Sequence, residues 1–168
     1  MDYIAHYESP LGGMTMASDG TALVGLWFDG QKHFVSTLHE EHEECDNLPM
    51  FAAARQWLDL YFCGKEPDFT PPLLFRGSPY RQRVWEQLLH IGYGETISYG
   101  ELGRMVAQSS SLTGVCARAV GGAVGHNPIS LIVPCHRVVG VGGKITGYAG
   151  GVERKARLLE LEKRVFSL

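Results

Sequence analysis

The sequence predicts a two-part chain. Residues 1–75 form an α/β half of antiparallel strands plus one helix, and residues 76–168 form a mainly α half with a helix-turn-helix. Three observations carry this. Over the first thirty residues, short apolar runs are separated by glycine turns, the rhythm of a meander. Residues 64–79 then hold Pro67, Pro71, Pro72, Gly77 and Pro79, the composition of a linker. Charge changes sign across that linker. Residues 1–75 carry three basic and twelve acidic side chains, net −9; residues 76–168 carry twelve basic and six acidic, net +6.

Each element has its own signal. Residues 3–8 read as a strand, Gly12-Gly13 turns the chain, and residues 14–17 read as a second strand. Asp19-Gly20 is a two-residue hairpin signal leading into a third strand over 21–28. Residues 39–46 are a charged surface stretch. Pro49 starts a helix over 50–62, with Phe51, Ala54, Leu58 and Tyr61 near helical spacing, and Gly64 ends it. In the second half Ser78 caps and Pro79 opens a helix striped by Val84, Trp85, Leu88 and Leu89, which Gly92 and Gly94 break. Ser98-Tyr99-Gly100-Glu101 fits a capping box and opens a helix to about residue 106. A serine-rich turn at 108–111 leads to a helix around 114–124, completing the helix-turn-helix outline. Residues 129–133 read as a strand-like apolar run, and a last helix covers about 152–165.

Composition narrows the function classes. The chain is 45% apolar and 20% charged, which is ordinary for a folded soluble protein. No run approaches the roughly 18 apolar residues of a membrane span, and Met1-Asp2-Tyr3 opens no secretory leader. Four cysteines without a C-x-x-C pair fit a reducing, cytoplasmic compartment. A cationic second half suggests a polyanionic partner such as nucleic acid; the alternative is a bipolar surface whose halves attract each other.

Chemistry concentrates in I-S-L-I-V-P-C-H-R-V-V at 129–139. Cys135 beside His136 and Arg137 has two neighbours that favour thiolate. The competing reading is a buried cysteine with His136 a satisfied core residue. In Ala117-Arg118-Ala119-Val120-Gly121-Gly122-Ala123 each glycine costs a helix about 1 kcal/mol. The pair implies a close approach, either of another helix or of a nucleic-acid backbone with Arg118 projecting. Asn127-Pro128 is a turn signal, residues 147–151 are a glycine loop with one aromatic, and Glu162 would by default face solvent. His33, His39, His42 and Cys45 do not match a structural-zinc spacing, and no metal is expected.

Pro134-Cys135-His136-Arg137-Val138, with Asn127-Pro128 before it and Gly147-Tyr148-Ala149-Gly150-Gly151 after it, resembles the O6-alkylguanine-DNA alkyltransferases. The resemblance is sharp over the last ninety or so residues and weaker before them. It implies an RNase H-like N-terminal domain, 1–75, and a helical, winged-helix-like C-terminal domain, 76–168. It implies Cys135 as alkyl acceptor, His136 as water-mediated base, Glu162 as the carboxylate orienting it and Asn127 as a brace of the active-site turn. Tyr99 matches the tyrosine that serves the flipped guanine, Arg118 the finger that fills the vacated stack, and Tyr148 the loop aromatic closing the pocket. Pro134 and the Val138 carbonyl belong to the base-binding wall, and Ala117 and Gly121 to the helix entering the minor groove. The implied activity is single-turnover repair of O6-alkylguanine, with O4-alkylthymine a second substrate, by a monomer on duplex DNA. No cofactor and no membrane are implied.

Four features depart from the pattern of the family it resembles: a longer turn at 106–114, Tyr80 in place of phenylalanine, Ala149 where a hydroxyl-bearing residue can stand, and Ser130 where a proline can line the pocket. Competing functions fit less well. A cysteine hydrolase wants Cys and His far apart in sequence. A transcription factor wants base-reading side chains where this chain has Ala, Gly and Val. Non-catalytic relatives that flag alkylated bases lack the cysteine, and Cys135 is present.

Overall fold

The structure, a computed structural model, describes residues 1–109 and 117–166. Strands β1 (Asp2–Ser9), β2 (Gly12–Ser18) and β3 (Leu23–Phe28) form the expected antiparallel meander. The second turn differs from expectation. Ser18 pairs with Leu23, leaving a four-residue loop rather than a two-residue hairpin. The Asp19 carboxylate shapes it by accepting from the backbone N–H of Thr21 and Ala22, both at 2.9 Å. A short strand β4 (His42–Glu44) lies parallel to β1, so the sheet order is β3-β2-β1-β4. Its three residues are exposed, so the charged stretch has the expected surface location while also closing a sheet edge.

Every residue of β3 is buried because both faces are covered. Leu23, Leu26 and Phe28 join the main core, while Val24 and Trp27 pack with Ala17, Val35 and Leu38. Helix α1 (Pro49–Phe62) buries Phe51, Ala54, Leu58 and Tyr61 in the main core, the face the spacing predicts. Gly64, at φ 81°, ends it by donating to the Tyr61 carbonyl at 3.0 Å.

The free edge of β3 joins the two halves. Leu26 exchanges hydrogen bonds with residues 128 and 130 at 2.9 and 2.8 Å, while Leu74 N–H, still within the first half, donates to the Leu23 carbonyl at 3.0 Å. The backbone approaching Cys135 is therefore stitched to the N-terminal sheet. This corrects the strand expected at 129–133: those residues form turns, and only Ile129 makes a bridge, to Leu26. The Asn127 side chain takes over their local backbone bonds, and Leu131 sits at φ 70°.

Ser78 caps α2 (Pro79–Leu88), and Ser98 Oγ accepts from Glu101 N–H at 3.1 Å at the start of α3 (Tyr99–Ser109). Helix α3 thus runs past the expected end near 106. The rest of the turn at 106–114, with Cys116, lies outside the described residues. Helix α4 (Ala117–Gly125) packs on α2, where Trp85 Nε1 donates to the Ala123 carbonyl at 2.8 Å. Strand β5 (Ile97–Ser98) pairs in parallel with β6 (Val138–Val139). Helix α5 (Val152–Phe166) closes the chain. A continuous core from Ala5 to Leu158 runs through both halves. Among the described residues no helix is long and apolar enough to cross a membrane.

Candidate active site

Cys135 opens a 3₁₀ turn, Cys135–Arg137, whose three residues are all buried. Asn127 braces the approach. Its Nδ2 donates to the Val133 carbonyl at 2.8 Å and its Oδ1 accepts from Ile129 N–H at 3.1 Å, locking residues 127–133. Cys135 is 5% exposed, and burial raises its thiol above the ordinary range. Asn127, Lys155 and the turn's own backbone pull it part of the way back. This corrects the expectation that its two sequence neighbours favour thiolate. Both are spent on Glu162 instead, so the resting group is a thiol and needs a base.

In the same turn His136 Nε2 meets Glu162 Oε2 at 2.5 Å. Glu162 is 1% exposed rather than solvated. It accepts also from Arg137 Nε at 2.8 Å, Tyr61 Oη at 2.6 Å and Gly94 N–H at 3.0 Å. Burial pushes its carboxyl up, but His136 and Arg137 outweigh burial and hold it at about 2. Burial keeps the imidazole neutral by lowering its pKa, against the pull of Glu162. With Nε2 donating to the carboxylate, Nδ1 carries the lone pair, and among the described residues Nδ1 has no hydrogen-bond partner.

Around the thiol lies a cleft of about 370 Å³, lined in part by Tyr99, Gly121, Val124, Cys135, Tyr148 and Ala149. That size suits a small planar ligand. Tyr99 is placed by the β5–β6 pairing, and its hydroxyl shares a hydrogen bond with Thr146 Oγ1 at 3.1 Å. The loop carrying Tyr148 is held by Arg154, which donates to the Leu11 and Gly150 carbonyls and covers the Phe28 ring at 4.6 Å. A side chain at Gly150 would come within 2.7 Å of the Tyr148 ring, so the loop needs glycine there.

The fold thus brings Cys135, His136, Glu162, Asn127, Tyr99, Tyr148 and Gly121 together. Pro134 and Val138 are buried on either side of the 3₁₀ turn but do not line the cleft. Arg118, exposed in the first turn of α4, stands outside it, and the side chain of Ala117 lies outside what the structure describes. The glycines of α4 leave an open face among the described residues: a Cβ at Gly121, Gly122 or Gly125 would meet no described atom within 4 Å.

Three residues escaped the sequence reading. Tyr61 read as core, yet a buried phenol needs a partner for its hydroxyl. Arg137 was read only as a neighbour of the thiol. Lys155, 1% exposed, donates to the Gly147 carbonyl at 3.4 Å, and its charge acts on Cys135. Its spacing to Leu158 and Glu162 follows one helix face, a signal that would have found it.

Comparison with known proteins places this site in a family. Residues 79–164 match the model of the 6-O-methylguanine DNA methyltransferase DNA binding domain, and residues 3–75 that of its ribonuclease-like domain. Methylated-DNA–protein-cysteine methyltransferases from Mycobacterium bovis and Haemophilus influenzae are 45% and 38% identical. The first alignment covers 94% of this chain and 92% of the relative, the second 96% and 86%. The crystal structure of Mycobacterium tuberculosis OGT in complex with DNA superposes with a TM-score of 0.82 at 43% identity, covering 97% of this chain and 94% of that one. The chain belongs to the O6-alkylguanine-DNA alkyltransferase family, the methylated-DNA–protein-cysteine methyltransferases that repair DNA by moving an alkyl group onto a cysteine.

Proposed function

We propose that Cys135 accepts the alkyl group of O6-alkylguanine, and of O4-alkylthymine, from an extruded base in duplex DNA. The observation that carries this reading is the buried Glu162–His136 pair, whose histidine follows Cys135 in the same 3₁₀ turn, with that cysteine lining a cleft of about 370 Å³. His136 Nδ1, through a bridging water, takes the thiol proton, and Glu162 stabilises the imidazolium that forms. The thiolate attacks the sp³ alkyl carbon. An S–C bond forms, the C–O6 bond breaks, and its electron pair returns to guanine, which Tyr99 polarises by hydrogen bonding. Lys155 favours the thiolate electrostatically. The thioether is stable, so each molecule acts once.

The target atom lies inside the stack, so the base must leave it at a cost of a few kcal/mol. The open glycine face of α4 suits close approach to a minor groove, with Arg118 filling the gap. Tyr148 closes the cleft over the base, and Pro134 with the Val138 carbonyl supports the wall behind it. Residues 76–168 carry DNA and chemistry in this reading, residues 1–75 buttress them, and the protein acts as a monomer without a cofactor.

The test is mass spectrometry after incubation with a methylated duplex. A stoichiometric methyl increment should map to the peptide containing Cys135, and Cys135→Ser should abolish it while leaving duplex binding largely intact. An increment on Cys45, Cys63 or Cys116 instead would overturn the assignment.

A further inference from the structure

The relay makes no use of two stacked histidines at the mouth of the cleft. His33 and His126 lie ring on ring, 3.8 Å between centroids and 26° between planes. His33 comes from the loop after β3 and His126 follows α4, so the stack bridges the two halves. The loop is held in an unfavourable shape: His33 and Val35 sit at φ 60° and 52°, a left-handed conformation that is a true outlier for a β-branched residue. Val35 is anchored by packing against the small cluster of Ala17, Val24 and Trp27, and Lys32 N–H donates to the Ala149 carbonyl at 3.1 Å.

The groups facing this stack are cationic or neutral. Lys32 lies on the same loop, Arg81 on α2 is close enough to act on His33, and Tyr99 and Tyr148 line the cleft beside it. Among the described residues no carboxylate is paired with either imidazole. Beside the stack runs the open glycine face of α4. His126 Nδ1 donates to the Gly122 carbonyl at 2.7 Å, which leaves Nε2 for an outside ligand. That atom donates only when the ring is protonated.

We propose that His33, His126 and Lys32 form a phosphodiester-binding site that holds the DNA strand next to the extruded nucleotide. The proposal rests on the alkyl-transfer reading and adds an N-terminal contribution to DNA binding. Burial first, then His126, Lys32 and Arg81, lower the His33 pKa, so His33 is neutral at neutral pH while the site is empty. An arriving phosphate supplies the missing negative charge, and binding then takes up a proton.

The experiment is duplex binding by fluorescence anisotropy at about pH 6 and about pH 8, with a single methylated guanine in the duplex. Wild type should bind more tightly at the lower pH, by up to about tenfold per pH unit for one linked proton. His33→Phe keeps an aromatic ring on His126 and removes the titrating group. It should weaken binding at low pH and flatten the pH dependence, with any loss in the rate on free O6-alkylguanine smaller than the loss on duplex. Lys32→Ala alters an exposed side chain and should reduce the salt slope by about one. Wild-type affinity, pH dependence and salt slope in both variants would overturn the proposal. Failure of wild type to take methyl from the duplex would instead overturn the underlying reading.

Discussion

Tyr61 Oη donates to Glu162 Oε2 at 2.6 Å, so a side chain on α1 holds a carboxylate 101 positions later on α5. The N-terminal half therefore reaches into the candidate site. Burial, reinforced by Glu162, raises the Tyr61 hydroxyl well above its ordinary range, which keeps it a donor. The ring is stacked on Trp57 at 5.3 Å, so the hydroxyl can be removed with the packing kept.

Tyr61→Phe should slow alkyl transfer about tenfold, or about 1.4 kcal/mol for one lost donor, on duplex and free base alike. It should also move the acidic limb of the pH–rate profile upward, because a carboxylate with one donor fewer draws the His136 proton more strongly. Single-turnover kinetics across pH measures both. An unchanged rate and profile would make the hydroxyl a packing feature.

His136→Ala and Glu162→Ala should each slow transfer, and the double variant should lose less than the two separate losses combined, as expected of groups acting as one unit. Full additivity in stopped-flow rates would separate Glu162 from the relay. Glu162 also marks acid stability. Its folded pKa of about 2 lies below the ordinary carboxylate value, so its contribution is complete above about pH 4.5 and is lost as pH falls through about 2. Unfolding free energies from urea titrations should therefore fall over that window by an amount on the order of 3 kcal/mol more in wild type than in Glu162→Gln.

Arg118 is exposed and stands outside the cleft, which fits a role on DNA rather than on the base. Arg118→Ala should slow repair of duplex far more than reaction with free O6-alkylguanine. Binding should show little sequence preference. Equal losses on both substrates, read from parallel transfer assays, would return the residue to a structural role.

Tyr99 separates ring from hydroxyl. Its hydroxyl is already hydrogen-bonded to Thr146, so serving guanine requires an exchange of partners. Tyr99→Phe should slow transfer ten- to a hundred-fold on duplex and free base, roughly 1.4–2.7 kcal/mol. If only the ring acts, the Phe variant will match wild type and Tyr99→Ala will fail mainly on duplex.

Much of this architecture was legible in the sequence because local signals agreed with the final packing. The meander, the helix opened by Pro49 and the caps at Ser78 and Ser98 all rest on neighbours in sequence. The failures share a cause. Residues 129–133 carry strand-like composition, but Asn127 side-chain bonds and pairing with Leu26 hold them in turns. The charge state of Cys135 was misjudged because adjacency in sequence says nothing about where His136 and Arg137 point. Tyr61 and Lys155 contribute through contacts between α1, α5 and the 3₁₀ turn, which depend on tertiary packing.

The Glu162 junction also orders events during synthesis. His136 leaves the ribosome 26 residues ahead of its carboxylate partner, and α5 must dock before the imidazole is fixed. Until then the nascent chain holds an accessible but untuned thiol, without the buried base, the oriented carboxylate or Lys155 beside it. In the proposed mechanism, reactivity toward alkylated DNA therefore depends on the docking of α5. On the single-use reading proposed above, that dependence spares chains whose last helix is undocked.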